Sequence, residues 1–185
     1  MRSDQMRLRV MHLLLCITVG ISFFVSPVAV ADEALGKKEN KTLSSYGRWV
    51  IAADYAAGGS LLVTAGGESL LYRPGDVVVW KSDGSRVGEL SGHQTAVWAV
   101  DVSSDGKLVA TAGYDGLVKV WDLQSRKLKA DLKQHKGWVR SLAFSPDGLR
   151  LASAGEDGKV FIWNTQDGKV AISVDAHKGP ATAVT

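Results

Sequence analysis

The sequence predicts an all-β protein made of repeated four-stranded antiparallel sheets. Three observations predict it: a period of 42 residues, Asp-Gly pairs at fixed places within that period, and short apolar segments between those pairs. The period is clearest in His93, His135 and His177, which are each 42 residues apart, and Trp121 and Trp163 have the same separation. A self-similarity of this length is typical of repeat architectures, whose units bury their apolar faces against one another.

The Asp-Gly pairs mark the predicted hairpin turns, because both residue types tolerate the positive φ angles that tight turns require. Six such pairs occur, at 83–84, 105–106, 115–116, 147–148, 157–158 and 167–168. The apolar segments around them predict three units of four strands. The predicted strands are 49–55, 61–65, 76–80 and 86–90 in the first unit, 97–102, 108–112, 117–121 and 127–132 in the second, and 138–144, 149–154, 160–163 and 169–174 in the third.

Composition and charge exclude several classes of function. The 185 residues are 45% hydrophobic and 22% charged, an ordinary globular composition. Of the net charge of +3, the first nine residues contribute +2, so about +1 is left for the rest of the chain. Because Lys and Arg are not concentrated anywhere else, nucleic acid is not an expected partner. The single Cys16 excludes a disulfide framework and a cysteine-rich metal site.

Residues 1–31 are predicted to be a signal peptide. A basic start is followed by an apolar run of 13 residues, 13–25, and Ala29-Val30-Ala31 fits the small-x-small pattern of a cleavage site. The run is shorter than a helix that spans the hydrocarbon core, so no membrane span is expected after cleavage, although an uncleaved anchor stays open. Cleavage after Ala31 predicts a secreted or periplasmic protein. The polar segment 32–45 is predicted to be a linker.

The repeats resemble the WD40 family, whose signature includes Gly-His at the start of a unit and Trp-Asp near its end. Here Gly92-His93 leads to Trp121-Asp122. In the next unit Gln134-His135 leads to Trp163-Asn164. The segments SSDG at 103–106 and SPDG at 145–148 also look like the family. The first unit departs from the signature, with Tyr46 in place of His and Lys81 after Trp80.

The resemblance implies a β-propeller, of the bacterial exported type if the signal peptide is real. The WD40 region would cover 46–185, with blades at 46–92, 93–134 and 135–176 and the first strand of a fourth blade in 177–185. Closed propellers have more blades than this. The chain would thus be a piece of a longer propeller, assemble with copies of itself, or pair with another protein that carries the missing blades.

Two sets of residues imitate a hydrolase triad: His93, Thr111 and Asp115, and His135, Ser153 and Asp157. Both sets have the same internal spacing and are separated by one period, which is not expected of a single catalytic site. The resemblance implies instead two buried, hydrogen-bonded tetrads. Their members would be His93, Thr111, Asp115 and Trp121 in one unit and His135, Ser153, Asp157 and Trp163 in the next. No catalytic residue, metal ligand or cofactor site is predicted, and the protein is not expected to be an enzyme.

Two regions are candidates for binding a protein partner. The first unit has six more residues between Thr64 and Trp80 than the others have, which would place Leu70, Leu71, Tyr72 and Arg73 at an exposed loop tip, unless the two leucines fold back onto the blade. Trp98 and Arg140 start equivalent inner strands, and both residue types are enriched at binding hot spots. Trp49 and Trp138 are expected to pack between blades.

The sequence therefore predicts an exported, non-catalytic scaffold for protein–protein interaction, whose partner it does not identify. Two alternatives stay open. The repeats would form the propeller part of a larger exported enzyme or redox protein, or a propeller that binds a small ligand.

Overall fold

The computed structural model describes residues 29–30, 41–42, 49–67 and 73–185. It contains three four-stranded antiparallel sheets, each built from strands that follow one another along the chain. This confirms the prediction of an all-β propeller segment. A separate two-stranded ladder joins β1 (Ala29–Val30) to β2 (Lys41–Thr42), across the predicted cleavage site and the polar segment that follows it.

The twelve strands of the three blades lie close to their predicted positions. Blade 1 consists of β3 (Trp49–Tyr55), β4 (Leu61–Gly67), β5 (Asp76–Lys81) and β6 (Arg86–Glu89). Blade 2 consists of β7 (Val97–Val102), β8 (Leu108–Gly113), β9 (Val118–Asp122) and β10 (Leu128–Leu132). Blade 3 consists of β11 (Val139–Phe144), β12 (Arg150–Gly155), β13 (Lys159–Asn164) and β14 (Val170–Asp175).

The Asp-Gly pairs form turns as predicted. The glycine of every pair has a positive φ angle, from 69° at Gly106 to 82° at Gly84. A residue with a Cβ atom rarely adopts this conformation, whereas glycine does so without a steric cost. The local chemistry of these six pairs therefore determines where each strand ends and the next one begins.

The hydrophobic core lies between the blades. Strand β7 lies beside β3 of the preceding blade and β11 of the following one. One buried cluster joins blades 1 and 2 through side chains such as Val63, Val97 and Trp121. A second joins blades 2 and 3 through side chains that include Val120 and Trp163. Burial of apolar surface between sheets is thus what holds the blades together.

Each inner strand carries an irregularity at the same place. The pairing of the first strand with the second shifts by one residue at Ile51, Trp98 and Arg140. Such a bulge turns the side chain of the extra residue away from the regular alternation of the strand. Two of the candidate binding residues, Trp98 and Arg140, therefore occupy bulge positions.

Residues 177–185 follow blade 3 at the place where a fourth blade would begin. The Ala181 N–H donates to the Gly155 carbonyl at 2.9 Å, and the Val184 N–H donates to Ser141 Oγ at 3.1 Å. These contacts join the segment to β12 and to the inner strand β11. It forms no ladder of its own with any described residue, and its position agrees with the predicted start of a fourth blade.

Candidate protein-interaction site

The structure brings the four predicted residues of blade 2 into one hydrogen-bonded chain. Trp121 Nε1 donates to Thr111 Oγ1 at 2.8 Å, and Thr111 Oγ1 lies 2.9 Å from His93 Nε2. The other imidazole nitrogen, His93 Nδ1, lies 2.9 Å from an Asp115 carboxylate oxygen. Because an indole N–H only donates, the Thr111 hydroxyl passes its own proton to His93 Nε2, and His93 Nδ1–H then donates to Asp115.

Blade 3 repeats this arrangement. Trp163 Nε1 donates to Ser153 Oγ at 2.8 Å, Ser153 Oγ lies 2.8 Å from His135 Nε2, and His135 Nδ1 lies 3.0 Å from Asp157 Oδ1. The Lys136 N–H donates to the same carboxylate, at 2.9 Å. Each tetrad thus connects the loop before an inner strand with the second and third strands of its own blade.

Both hydroxyl groups are closed off from solvent. Thr111 and Ser153 are 0% exposed, so no substrate carbonyl reaches either oxygen in this structure. A triad nucleophile has to be open to its substrate. The tetrads therefore satisfy buried polar groups and fix the loops, a role that their geometry supports better than catalysis.

The carboxylates of the two tetrads have pKa values below the usual range. Burial raises the pKa of Asp115, but the hydrogen bond from His93 and those from two backbone N–H groups lower it further. Burial also acts on Asp157, whose pKa is lowered more strongly by the Lys136 N–H and by His135. Both groups therefore stay ionised at neutral pH, as acceptors of these hydrogen bonds.

Blade 1 keeps two members of the same arrangement, which the sequence analysis did not assign to a site. Trp80 Nε1 donates to Thr64 Oγ1 at 2.8 Å, and the Thr64 hydroxyl donates to the Val78 carbonyl at 3.5 Å. The sequence signal was available, because Thr64 aligns with Thr111 once the longer loop of the first unit is allowed for.

A second group of side chains lies across blades 2 and 3, at the end of the sheets where the inner strands begin. The Arg140 guanidinium lies 5.0 Å from the ring centroid of Trp98 and 5.4 Å from that of Trp138. Tyr114 contacts both indoles edge-on, at centroid distances of 5.2 Å and 4.3 Å. Arg140 also forms an ion pair with Glu156. We call these five residues the aromatic–arginine cluster.

The repeat explains the membership of this cluster. Trp98 and Arg140 occupy equivalent bulge positions of neighbouring blades, and Tyr114 and Glu156 occupy equivalent positions in the loops after the second strands. Sequence analysis selected the first pair and missed Tyr114 and Glu156. Their common separation of 42 residues was the signal that links them to the first pair.

Exposure differs from the expectation for two tryptophans. Trp49 is 63% exposed, so the prediction that it packs between blades is wrong, since no described residue precedes blade 1 on that side. Trp138 does contact Tyr114 of the preceding blade, yet it remains 38% exposed. Arg73 is exposed at the end of the long loop of blade 1, whereas Leu70, Leu71 and Tyr72 lie outside the described residues.

Metal and membrane sites were also sought in the described part of the chain. Among these residues, no group of three or more His, Cys, Asp or Glu side chains is arranged to hold a metal ion. In the same residues, no helix has the length and hydrophobicity that crossing a bilayer requires.

Comparison with known proteins identifies the repeats. The family model of the WD domain, G-beta repeat, matches residues 84–122 and 126–164. The chain is similar to eukaryotic translation initiation factor 3 subunit I of Phaeosphaeria nodorum, with 46% identity over 46 residues. The same subunit of Scheffersomyces stipitis is 42% identical over 50 residues. These matches cover 25% and 26% of this chain but only 14% of the length of each relative.

Solved structures agree with the fold. The structure of U3-55K and that of the RRP9 WD40 repeats each superpose with a TM-score of 0.69 at 21% sequence identity. Both comparisons cover 76% of this chain and 43% of the other chain. At this level of identity the likeness concerns the fold, and the chain spans less than half of either structure.

The relatives contradict the predicted location. They are named as subunits of a eukaryotic translation initiation factor, and translation is initiated inside cells. The prediction of a secreted or periplasmic protein of bacterial exported type is therefore wrong. It rested on residues 1–31, of which the structure describes only the pair in β1. The matched repeats and the matching propeller structures together place this chain in the WD40 repeat family.

Proposed function

We propose that the protein is a non-catalytic scaffold that binds other proteins through the aromatic–arginine cluster. The observation that carries the proposal is the exposure of Trp138, at 38%, beside Trp98, Tyr114 and the Arg140 guanidinium. Tryptophan, tyrosine and arginine are the residues that contribute most to binding energy at protein interfaces. The relatives are named as subunits, which is consistent with work in an assembly.

The absence of catalysis is part of the proposal. The triad-like residues are engaged with each other and with a buried indole, so His93 and His135 each have both ring nitrogens occupied. Such a group has no free base to offer a substrate. Two copies of the arrangement in neighbouring blades fit a structural role that every blade needs.

Additional blades are a second kind of partner. Ile172 and Val174 on β14 are exposed, as are Trp49 and Tyr55 on β3, at the two ends of the row of described blades. Exposed apolar residues at both ends are what further blades would cover. A second copy, another protein or the rest of a longer chain would supply them, and light scattering of the purified chain separates the first from the others.

The scaffold proposal is tested by crosslinking the full-length chain to its neighbours in cells and identifying them by mass spectrometry. We expect Trp98→Ala to remove the specific partners, and Trp49→Ala, which changes an exposed tryptophan outside the cluster, to retain them. Circular dichroism melts of both variants check that the fold is intact. Identical sets of crosslinked proteins from all three chains would contradict the proposed surface.

A further inference from the structure

We propose that the aromatic–arginine cluster binds an acidic linear segment of a partner protein, with an aromatic or apolar side chain of that segment against the exposed indoles. This rests on the proposed function and adds the chemistry of the partner. It follows from three properties of the described residues: the open hydrogen-bond donors of Arg140, the charge balance around the cluster, and the fixed geometry of its rings.

Arg140 keeps donors for a ligand. Its Nε and Nη2 atoms donate to Glu156, whereas no described residue accepts a hydrogen bond from Nη1. The two indoles and Glu156 hold the guanidinium in place while its side chain remains 27% exposed. A carboxylate accepts well-aligned hydrogen bonds from such a fork, and little side-chain entropy is lost because Arg140 is already ordered.

The charges at this end of the sheets favour an anionic partner. Each carboxylate of the adjoining loops is already engaged: Asp115 with His93, Asp157 with His135, and Glu156 with Arg140. In contrast, Lys136 and Lys178 are exposed, and neither has a carboxylate within 4.0 Å among the described residues. This end therefore has unbalanced positive charge, which attracts and orients acidic segments.

The rings of the cluster form a preorganised apolar surface. Tyr114 lies edge-on between Trp98 and Trp138, which fixes both indoles across two blades. Rigid aromatic side chains lose little entropy on binding and contribute a large contact area. They favour a partner residue that is itself aromatic or apolar, and so an acidic segment with such an anchor fits better than a purely acidic one.

The test measures binding of three fluorescent probes to the full-length chain by fluorescence anisotropy. The first is a short peptide of Asp and Glu around a central Phe, the second has Lys in place of the acidic residues, and the third is a single-stranded oligothymidylate. We expect the acidic peptide to bind, more weakly as salt increases, and the other two to bind at least tenfold more weakly, as an estimate from the usual loss at hot spots.

Variants locate the binding surface. Arg140→Gln, Trp98→Ala and Lys136→Glu should each weaken binding of the acidic peptide, the first two by about tenfold. Lys127→Glu is the matched control, because Lys127 is exposed in the turn between β9 and β10, at the opposite end of the blade, and it should leave binding unchanged. Thermal melts of all four variants confirm that a loss of binding is not a loss of fold.

Each outcome bears on a definite claim. Equal binding of the Lys peptide or of the oligothymidylate, or an unchanged affinity in Arg140→Gln, would overturn the inference. If Trp98→Ala loses the crosslinked partners but the acidic peptide does not bind the natural chain, the scaffold proposal stands and the acidic ligand is wrong. If the partners are retained and the peptide does not bind, both proposals fail.

Discussion

The Asp101 carboxylate of blade 2 accepts a hydrogen bond of 2.6 Å from the Phe144 N–H of blade 3. The same contact joins the preceding pair of blades, where the Val102 N–H donates to Asp54 at 2.7 Å. Both acidic residues lie on inner strands, so each ties its strand to that of the next blade. The equivalent position in blade 3 is Ala143, so this contact is not available to whatever follows.

This contact predicts a dependence of stability on pH. Burial raises the pKa of Asp101 from 3.8 to about 7, and the nearby Asp54 carboxylate adds to the effect, although the Phe144 N–H opposes it. Between these two values the folded chain holds a proton that the unfolded chain releases. The stabilisation is therefore complete below pH 3.8 and is lost as the pH rises through about 7.

Urea titrations across this pH window measure the effect. We expect the free energy of unfolding to fall as the pH rises, and Asp101→Asn, which keeps the acceptor oxygen but does not titrate, to reduce the slope. Equal slopes for the natural chain and this variant would show that Asp101 ionises as freely in the folded state as in the unfolded one.

Asp157→Ala should destabilise blade 3. The substitution leaves the buried His135 ring and the Lys136 N–H without their acceptor, at a cost of about 1–3 kcal/mol. Asp167→Ala, at an exposed Asp-Gly turn, is the matched control and should cost less. The measurement is the urea midpoint of each variant, and equal midpoints would argue against a structural role for the tetrad.

Thr111→Val should cost more than Thr64→Val. The Thr111 hydroxyl serves both the Trp121 indole and His93, whereas the Thr64 hydroxyl serves Trp80 and only a long contact to a carbonyl. Each buried polar partner that loses its hydrogen bond costs about 1–3 kcal/mol. Denaturant titrations of the two variants compare them directly, and the same loss in both would mean that the His93 hydrogen bond adds no stability.

Gly155→Ala should disturb the tetrad of blade 3 from the backbone side. A Cβ atom at this position would lie 2.6 Å from His135 Nδ1 and 3.0 Å from Asp157 Oδ1, so the imidazole or the strand has to shift. The expected cost is about 1–3 kcal/mol, as for other overpacked sites. Gly179→Ala is the control, because nothing lies within 4 Å of its Cβ position. A thermal melt of each variant decides, and a natural melting temperature for Gly155→Ala would contradict the close packing.

Sequence reasoning succeeded where the structure is local or repeated. The Asp-Gly turns are determined by the backbone preferences of two neighbouring residues, and they delimit the strands. The spacing between Thr111 and Trp121 follows from the lengths of two paired strands, which made the tetrad members predictable from their register. The signal-peptide prediction failed because a short apolar run with small residues after it also occurs in chains that the cell does not export.

The sequence by itself determined the repeat, the turns and the residues that form each tetrad. Only the tertiary structure decided what meets between blades, because those contacts depend on how one sheet lies on the next. Tyr114 and Glu156 join Trp98 and Arg140 in this way. The raised pKa of Asp101 arises likewise, since burial between inner strands and the approach of Asp54, 47 residues earlier in the chain, are properties of the packed blades.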